Sequence, residues 1–126
     1  DLRRGPDEKV GFGMSAETLM RRVSGGLRVA KDLMAAVRLD LFADLETATS
    51  PEELALKRRL SKESLALVLA RLASLGLLLH RGGTYRNSEA ASRFLRKGRP
   101  DYLGLRLEEM VAEADRYDPL TRLRSR

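Results

Sequence analysis

The chain has 126 residues, of which 43% are hydrophobic, and its 24 Lys and Arg exceed its 18 Asp and Glu to give a net charge of +6. This length suits one globular domain with a single core. Because the chain has no cysteine and one histidine, disulfide scaffolds, cysteine-ligated metal sites and catalysis by two imidazoles are excluded.

The first 13 residues are rich in glycine, proline and charge, and this composition predicts a flexible arm. No segment resembles a signal peptide. The most apolar stretch, residues 65–79, is shorter than the roughly 18–20 residues that cross a bilayer. We therefore expect a cytoplasmic protein without membrane contact.

A heptad pattern begins after Ser15, a candidate N-cap. Apolar residues recur at spacings of four and three at Ala16, Met20, Val23, Leu27, Ala30, Met34, Val37 and Leu41. Between residues 29 and 41 these residues, together with Val29, Leu33 and Ala36, fill an arc of about 160° around the helix, wider than the roughly 100° that covers one core. We expect a second subunit to cover the apolar surface that exceeds this arc. The alternative is a helix buried on both sides within its own domain. The predicted dimer interface consists of Leu19, Met20, Val23, Leu27, Ala30, Leu33, Met34 and Val37.

Gly25 and Gly26 interrupt this pattern, and each costs about 1 kcal/mol relative to alanine inside a helix. Paired glycines often end a helix, so we predict a break that separates helices at about 15–24 and 27–46. The alternative is a close crossing of two helices at this point.

The remaining elements are marked by caps and turns. Ser50, Pro51 and Glu53 form a capping-box start for a helix at 51–58, and Ser61 begins the next helix at 62–75. Gly82-Gly83 predicts a hairpin turn within a wing at 77–87. Helices at about 88–96 and 100–117 follow, with a frayed tail at 118–126. The predicted fold is mainly α, with one domain at 14–117: a winged helix-turn-helix with extra N-terminal dimerisation helices, C-terminal helices and one two-stranded hairpin.

We predict no catalytic, cofactor-binding or metal-binding residues in this chain. Gly11-Phe12-Gly13 follows no strand and so lacks the context of a nucleotide-binding turn. His80 lies on the wing opposite Tyr85, where a structural role is expected.

A winged helix often reads DNA, and Lys62, Arg71, Arg81 and Arg86 are the candidate DNA contacts. The helix at 62–75 is a poor reading surface, because Leu67 and Ala70 occupy its outward face where polar side chains would read base edges. A dimeric winged-helix transcriptional regulator is therefore the alternative hypothesis.

Six short motifs occur in an order that resembles one family. They are Ala30 to Leu45 with Leu39-Asp40-Leu41-Phe42, Pro51-Glu52-Glu53-Leu54-Ala55, Leu75-Gly76-Leu77-Leu78, Tyr85-Arg86-Asn87-Ser88, Phe94-Leu95, and Pro100-Asp101-Tyr102-Leu103-Gly104. Over about residues 15–117 the chain is similar to the N-terminal dimerisation, winged-helix domain of S-adenosylmethionine-dependent O-methyltransferases, which include plant phenolic, hydroxyindole and bacterial polyketide-tailoring enzymes. Asp40 and Arg59 stand where that family often has glycine.

The resemblance implies an intertwined homodimer whose first helices contribute to the partner's acceptor pocket. It also implies that S-adenosylmethionine binds only in a C-terminal catalytic domain that would lie beyond Arg126. We therefore expect a homodimerisation module without activity of its own. A third hypothesis is a stand-alone protein that docks on a separate catalytic chain.

Overall fold

A computed structural model describes residues 14–124 of the chain. The elements in order are α1 (Ala16–Arg38), α2 (Leu41–Asp44), α3 (Pro51–Arg58), α4 (Lys62–Ser74), β1 (Leu78–Arg81), β2 (Thr84–Asn87), α5 (Glu89–Phe94), α6 (Gly104–Arg116) and α7 (Pro119–Arg124). The predicted mainly helical fold with one two-stranded hairpin is confirmed. The predicted flexible arm at 1–13 lies outside the described residues.

Helix α1 is continuous, so the predicted break at Gly25-Gly26 is wrong. A glycine ends a helix by taking the left-handed conformation, and neither of these two glycines has a positive φ. The helix ends instead beyond Arg38, where Asp40 has a φ of 55° and starts the separate turn α2. The predicted helix at 27–46 is therefore two elements.

The helix-turn-helix follows its local signals closely. Helix α3 has the predicted bounds, and its capping box is complete: the Glu53 N–H donates to Ser50 Oγ and the Ser50 N–H donates to Glu53 Oε1, both at 3.1 Å. The turn into α4 passes through Arg59, which has a φ of 58°. The turn thus keeps the left-handed geometry that glycine would adopt without strain.

The two-stranded hairpin gains one isolated bridge from the loop before α3. Gly82 and Gly83 both have positive φ, and the antiparallel register places His80 opposite Tyr85, as predicted. Their rings stack with centroids 4.1 Å apart. On the other edge of β2, the Thr49 N–H donates to the Tyr85 carbonyl at 2.9 Å, and the Tyr85 N–H returns a bond of 2.8 Å.

The core lies between the second half of α1, the helix-turn-helix and the hairpin. Its largest fully buried side chains are Phe42, Leu41, Leu45, Leu54, Leu69 and Leu72. Helix α6 covers a further side of α1, where Leu107 and Val111 pack against the core and Arg38 lies 3.5 Å from Glu108.

The C-terminal elements differ from the prediction in two places. Helix α6 begins at Gly104 rather than near residue 100, because residues 99–102 form a turn in which the Tyr102 N–H donates to the Arg99 carbonyl at 3.1 Å. The expected frayed tail contains α7, since the Asp118 carboxylate accepts from the Leu120 N–H at 3.1 Å and caps the new helix.

Candidate dimerisation interface

The first half of α1 presents an apolar surface that the described chain leaves uncovered. The exposed fractions of Leu19, Met20, Val23 and Leu27 lie between 52% and 70%. We call these four residues the α1 ridge. Contiguous exposed apolar surface of this kind marks a protein contact site more often than a free surface.

The second half of the predicted interface belongs to the protomer's own core. Met34 is 4% exposed and Val37 is 2% exposed, so the structure corrects their assignment to a dimer interface. Helices α4 and α6 pack on this half of α1 and cover its seam. Ala30 and Leu33 are half-buried and form the boundary, with Leu33 packed against the core.

The glycine pair lies beside the ridge on an open stretch of helix. A Cβ atom built on Gly25 or Gly26 would meet no atom within 4 Å. The described chain therefore gives no steric reason for glycine at either position. The two residues weaken α1 and leave room for another helix to approach its backbone.

A second exposed apolar surface, absent from the predicted interface, lies on α6. Met110 is 54% exposed and Tyr117, the residue directly after the helix, is 59% exposed, whereas Leu107 and Val111 on α6 pack against the core. The sequence signal is a stripe of apolar residues along this helix, at Leu107, Met110, Val111 and Ala114. The pattern alone does not show that the stripe divides into a buried side and an exposed side.

The candidate DNA contacts do not converge on one free basic surface. Arg71 on α4 donates two hydrogen bonds to Asp32 on α1, one from Nε to Oδ2 and one from Nη2 to Oδ1 at 3.3 Å. Lys62 pairs with Glu52 at 3.3 Å. Arg81 and Arg86 are exposed on the hairpin, and Leu67 is exposed on the outward face of α4. These positions favour packing on protein over reading base edges.

A polar cavity of about 560 Å³ lies beside the hairpin and α5. At its wall, Ser92 Oγ bonds the Glu46 carboxylate at 2.7 Å and Arg96 lies 3.2 Å from it. The hydrogen bond from Ser92 is the main cause that holds the pKa of Glu46 below its usual value. These groups satisfy one another, which is the signature of a structural network.

Residues 14–124 contain neither a candidate metal-binding cluster nor a candidate membrane-spanning helix. No group of three or more His, Asp or Glu side chains there could hold a metal ion. No helix in that range is long and apolar enough to cross a membrane.

Known proteins resemble the chain over this same region. A family model described as O-methyltransferase dimerisation domain matches residues 16–97. The 3-hydroxy-5-methyl-1-naphthoate 3-O-methyltransferase of Streptomyces sahachiroi is 36% identical over 89 residues, which span 69% of this chain and 26% of that enzyme.

Two solved structures extend the comparison. An O-methyltransferase family protein from Burkholderia thailandensis superposes with a TM-score of 0.70 at 29% identity, covering 88% of this chain and 34% of its own. Human N-acetylserotonin methyltransferase in complex with SAM gives a TM-score of 0.62 at 30% identity, covering 79% of this chain and 31% of its own. The chain thus spans about a quarter to a third of the length of these relatives. Since the family model covers more than half of the chain, the chain belongs to the O-methyltransferase dimerisation-domain family.

Proposed function

We propose that this chain is the homodimerisation module of an S-adenosylmethionine-dependent O-methyltransferase, and that the α1 ridge forms the centre of its interface. The observation that carries the proposal is the exposure of four large apolar side chains on one helix of a dimerisation domain. Burying them against a second copy would remove this surface from water, the main source of free energy in such association.

The boundary residues Ala30 and Leu33 extend the proposed interface toward the core. The open helix surface at Gly25 and Gly26 supports it, because a second helix can approach the α1 backbone there. Met34 and Val37 act indirectly, since they hold α1 on the core and so fix the direction in which the ridge projects.

Sedimentation velocity across the micromolar range tests this proposal. A dimer of twice the 14.1 kDa chain mass is expected. A folded monomer throughout this range would contradict it.

We further propose that methyl transfer, and the binding of S-adenosylmethionine, belong to a catalytic domain that the described residues do not include. The support is the share of the relatives' length, about two thirds or more, that has no counterpart in this chain. A reading frame that continues after Arg126 with a glycine-rich strand, loop and helix would agree with it. A stop codon would favour a separate catalytic chain. The cytoplasmic location stays a prediction, which cell fractionation would test.

A further inference from the structure

The two helices on which the described chain leaves apolar side chains exposed, α1 and α6, have opposite net charge. Helix α1 holds five basic and two acidic residues, the largest basic excess among the described helices. Helix α6 holds four acidic and two basic residues, the largest acidic excess. Each helix also carries exposed apolar side chains, so each offers the apolar centre and the charged rim that protein interfaces combine.

The basic side chains of α1 border the ridge. Lys31 follows Leu27 by four residues and therefore lies on the same side of the helix, and Arg28 is one turn from Lys31. Both are exposed, and among residues 14–124 neither has an ion-pair partner.

Two acidic side chains of α6 border its exposed Met110, and Arg116 and Arg122 line the recess beside them. Glu113 follows Met110 by three residues, and Glu109 is one turn before Glu113. Both carboxylates are exposed, and within the described part of the chain neither is ion-paired. The chain already joins these two helices once through opposite charges, at Arg38 and Glu108.

We infer that the α1 ridge of one protomer packs on the Met110 face of the partner's α6, with Lys31 and Arg28 facing the partner's Glu109 and Glu113. This inference rests on the proposed dimerisation and specifies which surface the second copy presents. In a two-fold dimer the contact occurs twice, so each α1 finds an acidic partner. Direct pairing of two α1 helices would instead bring two basic helices together, which like-charge repulsion disfavours.

Two charge-reversal variants test the contact. The first is Arg28→Glu/Lys31→Glu on α1, and the second is Glu109→Lys/Glu113→Lys on α6. Each homodimer then carries two like-charge contacts, and its Kd should rise at least tenfold at low salt. All four positions are exposed, so circular dichroism should show unchanged helix content.

Mixing the two variants gives the decisive measurement. In the mixed dimer, the reversed α1 meets the reversed α6 and the two unchanged surfaces meet each other. Its Kd should return to within about threefold of the wild-type value, and native mass spectrometry should show mainly mixed dimers. The control Arg81→Glu/Arg86→Glu makes the same change in net charge as the α1 reversal, but on the hairpin, and should leave the Kd within threefold.

The possible failures are distinguishable. A wild-type protein that stays monomeric overturns the proposed function and this inference together. A wild-type dimer that the α6 reversal leaves unchanged, or that mixing fails to restore, overturns the α1–α6 contact while dimerisation stands.

Discussion

Arg71 on α4 forms a bidentate ion pair with Asp32 on α1, in which two nitrogens of the guanidinium group donate to the two carboxylate oxygens. The pair connects the helix that carries the proposed interface to the second helix of the helix-turn-helix. It lies where α1 passes from its exposed half to its buried half. In a DNA-binding winged helix, α4 would contact the base edges. The bond to Asp32 makes Arg71, one of the few basic residues of α4, unavailable for such a contact.

Breaking this pair should destabilise the fold. Asp32 is buried, so Arg71→Ala leaves its carboxylate without its main partner and should lower the free energy of unfolding by about 1–3 kcal/mol. The double variant Asp32→Ala/Arg71→Ala should lose less than the sum of the single losses. Urea denaturation measures both. Arg81→Ala, on the exposed hairpin, is the control, and an equal effect of Arg71→Ala and Arg81→Ala would refute a stabilising role.

Two aspartate substitutions on α1 should separate association from folding. Leu27→Asp places a charge on the ridge and should give a folded monomer, because the substituted side chain is exposed in each protomer. Met34→Asp places the same charge in the core and should unfold the chain. Sedimentation and circular dichroism together distinguish these outcomes. A Leu27→Asp protein that still dimerises with wild-type affinity would remove the ridge from the interface.

Arg59 offers a stabilising substitution. Its φ of 58° is unfavourable for a residue with a Cβ atom, and glycine adopts this conformation without that strain. Arg59→Gly should raise the free energy of unfolding by about 0.5–1 kcal/mol after the larger chain entropy of glycine is subtracted. Arg59→Ala removes the same side chain but keeps the Cβ atom, so thermal unfolding should show no gain for it.

Gly25→Ala should also stabilise the protein. The glycine is inside a continuous helix, and an alanine Cβ would meet no atom of residues 14–124 within 4 Å. We expect a gain of about 1 kcal/mol, measured by urea denaturation. The matched change Gly76→Ala should be destabilising, because Gly76 has a φ of +84°. Both proteins are compared in the Leu27→Asp background, where the dimer is expected to be absent, and a loss of stability in Gly25→Ala there would show that this part of α1 is not helical in solution.

Acid should weaken the contact between α2 and α3. Burial by itself would raise the pKa of the Asp44 carboxyl, but the hydrogen bonds from Lys57, at 2.8 Å, and from Arg58 outweigh it and lower the pKa. A lowered folded-state pKa contributes stability above the unfolded-state value, and that stability is lost as the pH falls below about 4. The fall in unfolding free energy between pH 5 and pH 2 should be smaller in Asp44→Asn than in wild type. Asp115→Asn, on the exposed face of α6, should keep the full decrease.

Elements whose signals are local could be predicted from the sequence. The bounds of α3 follow from Ser50, Pro51 and Glu53, whose hydrogen bonds reach only three residues along the chain. The hairpin register follows from Gly82-Gly83 in the same way. These interactions involve no distant part of the chain.

The division of the heptad seam could not be predicted. Met20 and Met34 occupy equivalent positions of the repeat, yet one is 70% exposed and the other 4% exposed. The difference arises from α4 and α6, which pack on one half of α1 only. A repeat shows that a helix needs a partner along its length, but it does not show which chain supplies that partner.

The backbone bonds between Thr49 and Tyr85 bear on aggregation. They occupy the second edge of β2 at Tyr85, so the backbone groups of that residue are not free to pair with a foreign strand. The four-residue strand β1 keeps a free outer edge in the sheet, and a short edge is a weak template for amyloid-like growth. In the proposed dimer two copies of the chain associate through side chains on helices. Unlike pairing between strand edges, such contacts do not continue from one chain to the next.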